Sequence, residues 1–166
     1  MNLTSANFVF QCRFGIIYGY ITNAGLRQLL LYQQGKPKPY ILHERPNILL
    51  GKLLSTRLER YFSGIAEDFS DIPLDLAGAT DFQKQIWNAL RKVPFGKICT
   101  YAELAILAGF TPRHARAVGS AVRLNPIPII IPCHRVLPST RKLGNFSAGT
   151  EWKKFLLTTE GVKITK

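Results

Sequence analysis

The period of the apolar positions changes along the chain. Residues 8–21, FVFQCRFGIIYGYI, are rich in aromatic and β-branched side chains, with Gly15 and Gly19 as punctuation, and predict a pair of strands. Asn23-Ala24-Gly25 is a turn, Leu26–Tyr32 a third strand, and Gly35–Pro39 a loop. From Asn47 to Phe62 the apolar residues fall at 49, 50, 53, 54, 58, 61 and 62, which is a helical rhythm. Asn47 suits its N-cap and Gly64 its stop. Ile72–Leu76 reads as a short extended piece, placed at an edge by Pro73. This first half is a small sheet backed by one helix. It carries no chemistry in its pattern, and Cys12 and His43 read as structural.

After Gly78 the pattern turns helical. Thr80-Asp81-Phe82-Gln83 is a capping-box start for a helix over Phe82–Val93, and Thr100-Tyr101-Ala102-Glu103 starts a shorter one ending near Ala108. Gly109 breaks it, and Thr111-Pro112 opens another, with Thr as cap and Pro at the first helical position. Helix, short turn, helix is a helix-turn-helix arrangement. On its second helix Arg113, Arg116, Ser120 and Arg123 recur at helical spacing, with Ala115, Ala117, Gly119 and Ala121 between them. A slim helix with an arginine stripe suits a narrow, negatively charged groove. A solvated basic face is the plainer alternative.

Next comes an apolar run, Asn125 to Ile131, punctuated by Pro126 and Pro128 and closed by Pro132. The prolines exclude a regular helix and predict an extended, stiff, buried segment. It delivers Cys133, His134 and Arg135 together. A cysteine is most often inert packing, so the pair gains meaning only from its context. Pro138–Lys142 is a polar basic loop, and Gly144–Gly149 a loop of small residues able to bend around a ligand. Thr150 caps a last helix, Glu151–Glu160, ended by Gly161. Glu160 sits at the helix end that disfavours a carboxylate, which invites a functional explanation.

Composition narrows the choices. At 46% hydrophobic and 19% charged, the chain is globular, and no apolar run is long enough to span a membrane. The N-terminus shows no secretory pattern. Three scattered cysteines without a CxxC pair give no zinc site and fit a reducing, cytoplasmic setting. The net charge is +12, and it is uneven: residues 1–79 carry 8 Lys/Arg against 6 Asp/Glu, residues 80–166 carry 14 against 4. Such asymmetry points to a polyanion partner for the second half.

Over roughly residues 80–161 the chain resembles the O6-alkylguanine-DNA alkyltransferases, the methylated-DNA–protein-cysteine methyltransferases. The resemblance rests on Ile131-Pro132-Cys133-His134-Arg135-Val136, Ala115-Arg116-Ala117-Val118-Gly119, Asn125-Pro126, Thr100-Tyr101, and Gly144-Asn145 through Glu160-Gly161. Residues 1–75 match the family only in layout. The resemblance implies an α+β chain with an RNase H-like domain at 1–76 and a mainly helical domain with a winged helix-turn-helix at 77–166. It implies single-turnover removal of the alkyl group from O6-alkylguanine in double-stranded DNA, bound through the minor groove by a monomer with no cofactor and no metal. Cys133 would be the nucleophile and irreversible acceptor. His134 would take the thiol proton through a water, Glu160 would orient the imidazole, and Asn125 would tie the helix-turn-helix to the active segment. Tyr101, Phe146, the backbone of Ser147 and the carbonyls of Cys133 and Val136 would contact the guanine. Arg116 would replace the extruded base in the stack, with Thr100, Arg113, Ser120 and Arg123 on DNA. Where this chain has Phe146 and Ala148 the family commonly has Tyr and Gly, and the Gly109–His114 turn looks one residue longer than in many members.

The chemistry stands independently of the resemblance. A free thiol is only slightly ionised at neutrality, and an adjacent base held by a carboxylate removes its proton. A soft sulfur suits attack at an alkyl carbon. The O6 atom lies within the stacked duplex, so the base must be extruded, at a cost of a few kcal/mol. Two other readings compete. A thiol hydrolase could use Cys133, His134 and Glu160, but adjacent Cys-His is unusual for such a dyad and leaves the basic helix without a role. A DNA-binding regulator or lesion sensor would use the helix and perform no transfer.

Overall fold

The computed structural model describes residues 5–42 and 47–163; His43 lies outside the described residues. In chain order the strands of the first half are β1 (Ser5–Ala6), β2 (Phe8–Gln11), β3 (Ile16–Thr22), β4 (Gly25–Leu31) and β5 (Tyr40–Ile41), followed by helix α1 (Ile48–Phe62). Then come α2 (Asp81–Arg91), β6 (Cys99–Thr100), α3 (Tyr101–Leu107), α4 (Ala115–Arg123), β7 (Val136–Leu137) and α5 (Thr150–Thr159). The chain is a mixed helix-and-sheet, α+β structure.

β2, β3 and β4 form an antiparallel meander, while β1 pairs in parallel with β5. The β3–β4 register shifts between Tyr20 and Ile21. The side-chain amide of Asn7 takes both backbone groups of Ile21, at 2.8 Å each, so the irregularity leaves neither of them unpaired. The expected extended piece at 72–76 lies against the start of β4: Leu26 N–H donates to Pro73 O at 2.8 Å and Asp75 N–H to Leu26 O at 2.9 Å. Gly25 permits this approach, since a Cβ there would stand 2.5 Å from Pro73 O.

α1 forms as the periodicity predicts. Asn47 caps it through Leu50 N–H, and Leu50, Leu54, Leu58 and Tyr61 are buried along one stripe. Both expected capping boxes are present, Thr80 with Gln83 and Thr100 with Glu103. α2, α3 and α4 pack together, and the Trp87 indole donates to Ala121 O at 2.9 Å, tying α2 to α4. One hydrophobic core runs from Phe8 in β2 to Leu156 in α5 without a break near residue 76. Stacked rings of Phe10, Phe62, Phe155 and Phe14 cross the same boundary, with centroids 4.5–5.9 Å apart.

Three expectations need correction. Residues 125–131 are largely buried, with Asn125 and Pro126 half-buried, but they are not extended. The segment folds back on itself: Ile131 N–H donates to Ile127 O at 2.9 Å, and Ile129 takes φ +76°. Prolines forbid a helix but do not by themselves keep a chain straight. Second, Thr111 makes no side-chain cap; residues 112–114 form a 3-10 turn and α4 starts only at Ala115, so Arg113 precedes the helix. Third, Thr150 is the first residue of α5 rather than its cap, and Gly149, at φ +85°, occupies the cap position.

Replacing Trp87 by Phe keeps a ring in the core and removes the indole donor from the Ala121 carbonyl, which still accepts from Leu124 N–H. The unfolding free energy in urea is expected to fall by about 0.5–1.5 kcal/mol, the contribution of one hydrogen bond.

Candidate active site

The folded-back segment places the thiol. Asn125, at the end of α4, accepts from Ile127 N–H at 2.9 Å and donates its amide to Ile131 O at 2.8 Å and to the Cys133 sulfur at 3.0 Å. The backbone of β4 clamps the same segment, with Leu29 N–H donating to Pro126 O at 2.9 Å. Cys133, His134 and Arg135 then form one buried 3-10 turn. β7 pairs in parallel with β6, so the end of the turn is fixed beside the start of α3.

Behind the thiol lies a buried cluster centred on Glu160, at the C-terminal cap of α5. Its carboxylate accepts from His134 Nε2 at 2.6 Å, from Arg135 Nε at 3.0 Å and Nη2 at 3.0 Å, and from Gly96 N–H at 3.0 Å. The phenol of Tyr61, from α1, also donates to it at 2.7 Å. These donors answer the puzzle of a carboxylate at a helix C-terminus: a buried guanidinium, an imidazole and two further donors outweigh the adverse dipole. Burial alone would raise the Glu160 pKa, but His134 and Arg135 overcome it and hold the carboxyl down at about 2.

Because Nε2 faces a carboxylate, it carries the ring proton, and Nδ1 is the basic nitrogen. Nδ1 is buried and has no hydrogen-bond partner among the described residues. Burial lowers the His134 pKa against the pull of Glu160, so the imidazole is neutral at neutral pH. Burial pushes the Cys133 thiol up to about 11, although the Asn125 amide and Lys153 act in the opposite direction. The resting pair is therefore neutral thiol beside neutral imidazole, not a thiolate–imidazolium pair. Such a thiol becomes a nucleophile only as its proton leaves.

Two members of this environment were not anticipated from the sequence. Lys153 on α5 is buried and donates to Val136 O at 2.8 Å, with its pKa brought down to about 8 by burial. It occupies one acceptor direction of the carbonyl expected to read the guanine amine. Tyr61 is fully buried. The available signals were a lysine among Trp152, Leu156 and Leu157 on a buried helix face, and a tyrosine hydroxyl on the buried stripe of α1, which needs a partner.

Asn125 and Ser147 line a cleft of about 550 Å³, with Pro128, Ala148 and Arg123 on one side and β4 with Gln33, Lys36 and Lys38 on the other. Cys133, Tyr101 and Val136 are not on its wall, so Asn125 is the link from the cleft to the sulfur. Gln33 reaches Ser147 O at 3.5 Å. Phe146 is half-buried against the core. Tyr101 is half-buried at the start of α3, where a Cβ on Gly119 would touch its ring at 3.7 Å. Thr100 is engaged in its capping box.

Arg113, Arg116, Ser120 and Arg123 are all exposed, and none of the three arginines pairs with a carboxylate among the described residues. Arg116, Ser120 and Arg123 share a face of α4, and Arg113 extends that face from the preceding turn. The cationic surface is thus presented free, while the groups around Glu160 are buried. Among the described residues no group of three or more His, Cys, Asp or Glu side chains could hold a metal, and no helix is long and apolar enough to cross a membrane.

Residues 81–162 match the family model described as 6-O-methylguanine DNA methyltransferase, DNA binding domain. A methylated-DNA–protein-cysteine methyltransferase of Haemophilus influenzae is 45% identical over 130 residues, spanning 78% of this chain and 71% of that protein. One from Methanothermobacter thermautotrophicus is 33% identical over 150 residues, spanning 90% and 80%. A crystal structure of Mycobacterium tuberculosis OGT in complex with DNA superposes with a TM-score of 0.74 at 33% identity, over 92% of this chain and 90% of that one.

The depressed Glu160 carboxyl is charged in the folded state well below its ordinary 4.5, so it stabilises the fold above that value. That stabilisation is expected to be lost as pH falls from about 4.5 towards about 2. In Glu160→Gln, which leaves Arg135 buried without its counter-charge, denaturant titrations should show a loss of about 3–5 kcal/mol at neutral pH and a weaker acid dependence.

Proposed function

The chain belongs to the methylated-DNA–protein-cysteine methyltransferases, and from that premise we propose how its own residues carry out the family's reaction. The protein repairs DNA by direct reversal: the alkyl group of O6-alkylguanine moves to a cysteine, once per chain. Cys133 is that acceptor. The observations that carry the assignment are the contact of Asn125 with the Cys133 sulfur and that of His134 Nε2 with Glu160, with Cys133, His134 and Glu160 all buried.

In the transfer the sulfur attacks the alkyl carbon, an S–C bond forms, and the bond from that carbon to O6 breaks. The thiol proton passes through a bridging water to His134 Nδ1, the nitrogen left without a protein partner among the described residues. Glu160 stabilises the imidazolium that develops. The guanine departs with help from hydrogen bonds offered by Tyr101 and by the backbone of Ser147, while the Cys133 and Val136 carbonyls accept from its amine. Asn125 holds the sulfur by donating to it, which becomes more favourable as negative charge builds there. Phe146 packs at the pocket rim without the hydroxyl common in the family. Ala148, where the family commonly has Gly, stiffens the loop and narrows tolerance for bulky alkyl groups.

DNA binding belongs to α3, the 112–114 turn and α4, read as a winged helix-turn-helix that enters the minor groove as a monomer. The division into domains at 1–76, with an RNase H-like layout, and 77–166 follows the change in composition and charge near Gly78. Arg116 occupies the place of the extruded guanine. Arg113, Ser120, Arg123 and Thr100 contact the backbone. The free, exposed arginines support this reading, since surface cations without partners release counterions on meeting phosphates.

Incubation with duplex DNA carrying labelled O6-methylguanine should leave one methyl group per chain, mapped by peptide mass to Cys133. Cys133→Ser should bind the same DNA and accept nothing. Turnover beyond one equivalent, or label on another residue, would overturn the assignment. Arg123→Ala should weaken binding to all sequences alike and lower the salt slope by about 0.9 for each phosphate that is no longer neutralised.

A further inference from the structure

The cluster around Glu160 contains one group that the reaction above leaves without a role and that comes from the other half of the chain. Tyr61 sits on α1, 73 residues before His134 and 99 before Glu160, yet its hydroxyl meets both. It donates to Glu160 Oε1 at 2.7 Å and lies 3.3 Å from His134 Nε2. Its ring is held on several sides, edge-on to Phe62 and Phe95 and tilted against Phe69, with centroids 5.1–5.8 Å away. A phenol so confined has no other orientation to adopt. Because the phenol directs its proton at Glu160, its oxygen is free to accept, and what faces it is the N–H of His134. The same Oε1 thus receives both Tyr61 and His134, and the imidazole proton sits between two oxygens.

We propose that Tyr61 is a positioning residue of the transfer reaction: from α1 it shares the Glu160 carboxylate with His134, and so fixes which imidazole nitrogen carries the resting proton and how strongly that ring takes up a second. This rests on the reading of Cys133 and His134 given above. The physical argument is one of competition. A carboxylate that receives a phenol proton has less negative charge to offer an imidazolium. Arg135 and Lys153 also disfavour a second proton on His134, as does burial, while Glu160 favours it. The Cys133 thiol, the remaining titratable neighbour, is neutral at rest. Tyr61 weakens the one favourable partner, keeping the imidazole unprotonated and available as a base through the neutral range. The first half of the chain thereby takes part in the chemistry.

The test is the single-turnover rate of methyl transfer from O6-methylguanine duplex DNA as a function of pH, in the full chain. Tyr61→Phe keeps the ring and removes the hydroxyl. Its transfer rate should be lower on the acid limb of the profile, by up to about tenfold, the loss expected for one buried hydrogen bond to a charged group. The deficit should shrink as pH rises, because the acid limb of the profile has moved upward. DNA affinity should be unchanged. Incorporation of 3,5-difluorotyrosine at position 61 keeps the shape and strengthens the donor, so the acid limb should move downward, opposite to Tyr61→Phe. That variant also carries the test if Tyr61→Phe does not fold. A rate deficit equal at every pH, a limb that stays in place in both variants, or shifts in the same direction in both would overturn the proposal. A wild-type chain that accepts no methyl group would instead overturn the reading on which it rests.

Discussion

A single buried carboxylate holds the active region together. Glu160 is reached by α1 through Tyr61, by the turn after α2 through Gly96, and by the Cys133–Arg135 turn through His134 and Arg135. A buried charge is tolerated only when its lone pairs are filled by well-placed donors, and here the donors converge from three separate parts of the chain. The arrangement is therefore over-determined. No one element can shift without leaving a charge or a donor unpaired in a medium that penalises both. This explains why a functional carboxylate can rest on a helix C-terminus, a place where it is otherwise unwelcome.

The same logic governs the Cys133 thiol. The Cys133 thiol is more deeply buried than a reactive cysteine is usually expected to be, and burial keeps it protonated at rest. Reactivity must then be supplied at the moment of need, by a base within reach and a donor on the sulfur. The proposed function divides the work between the exposed arginines of α4, which would bind at the surface with free charge, and the buried cluster, which would carry the transfer with paired charge. Asn125 joins them, since it ends the cationic helix, lines the cleft and touches the sulfur.

Much of this was legible in the sequence wherever the signal is local. The aromatic and β-branched runs between turn residues located β2, β3 and β4, the helical period located α1, and the capping boxes at Thr80 and Thr100 marked helix starts that the structure contains. The misplaced Glu160 invited a functional explanation, the family resemblance linked it to His134 across 26 residues, and the structure brings the two to 2.6 Å. What was not legible depends on distance along the chain or on backbone detail. Tyr61 reads as one more apolar residue of an amphipathic stripe, because pattern does not say where a hydroxyl points. Lys153 reads as a solvated lysine until its helix is known to bury that face. The prolines around 125–132 excluded a helix but could not distinguish an extended strand from a folded turn, and the difference lies in Ile129 alone taking a left-handed conformation.

That conformation has a cost with an evolutionary reading. A β-branched residue at positive φ stores strain of about 1–3 kcal/mol, which glycine or asparagine would relieve. Relieving it would also empty a buried apolar anchor four residues before the sulfur, at a cost of about 2–5 kcal/mol, at least as large as the strain. Stabilising programmes that rank substitutions by backbone preference alone will favour this position, and in doing so they exchange a packed anchor for a looser hinge.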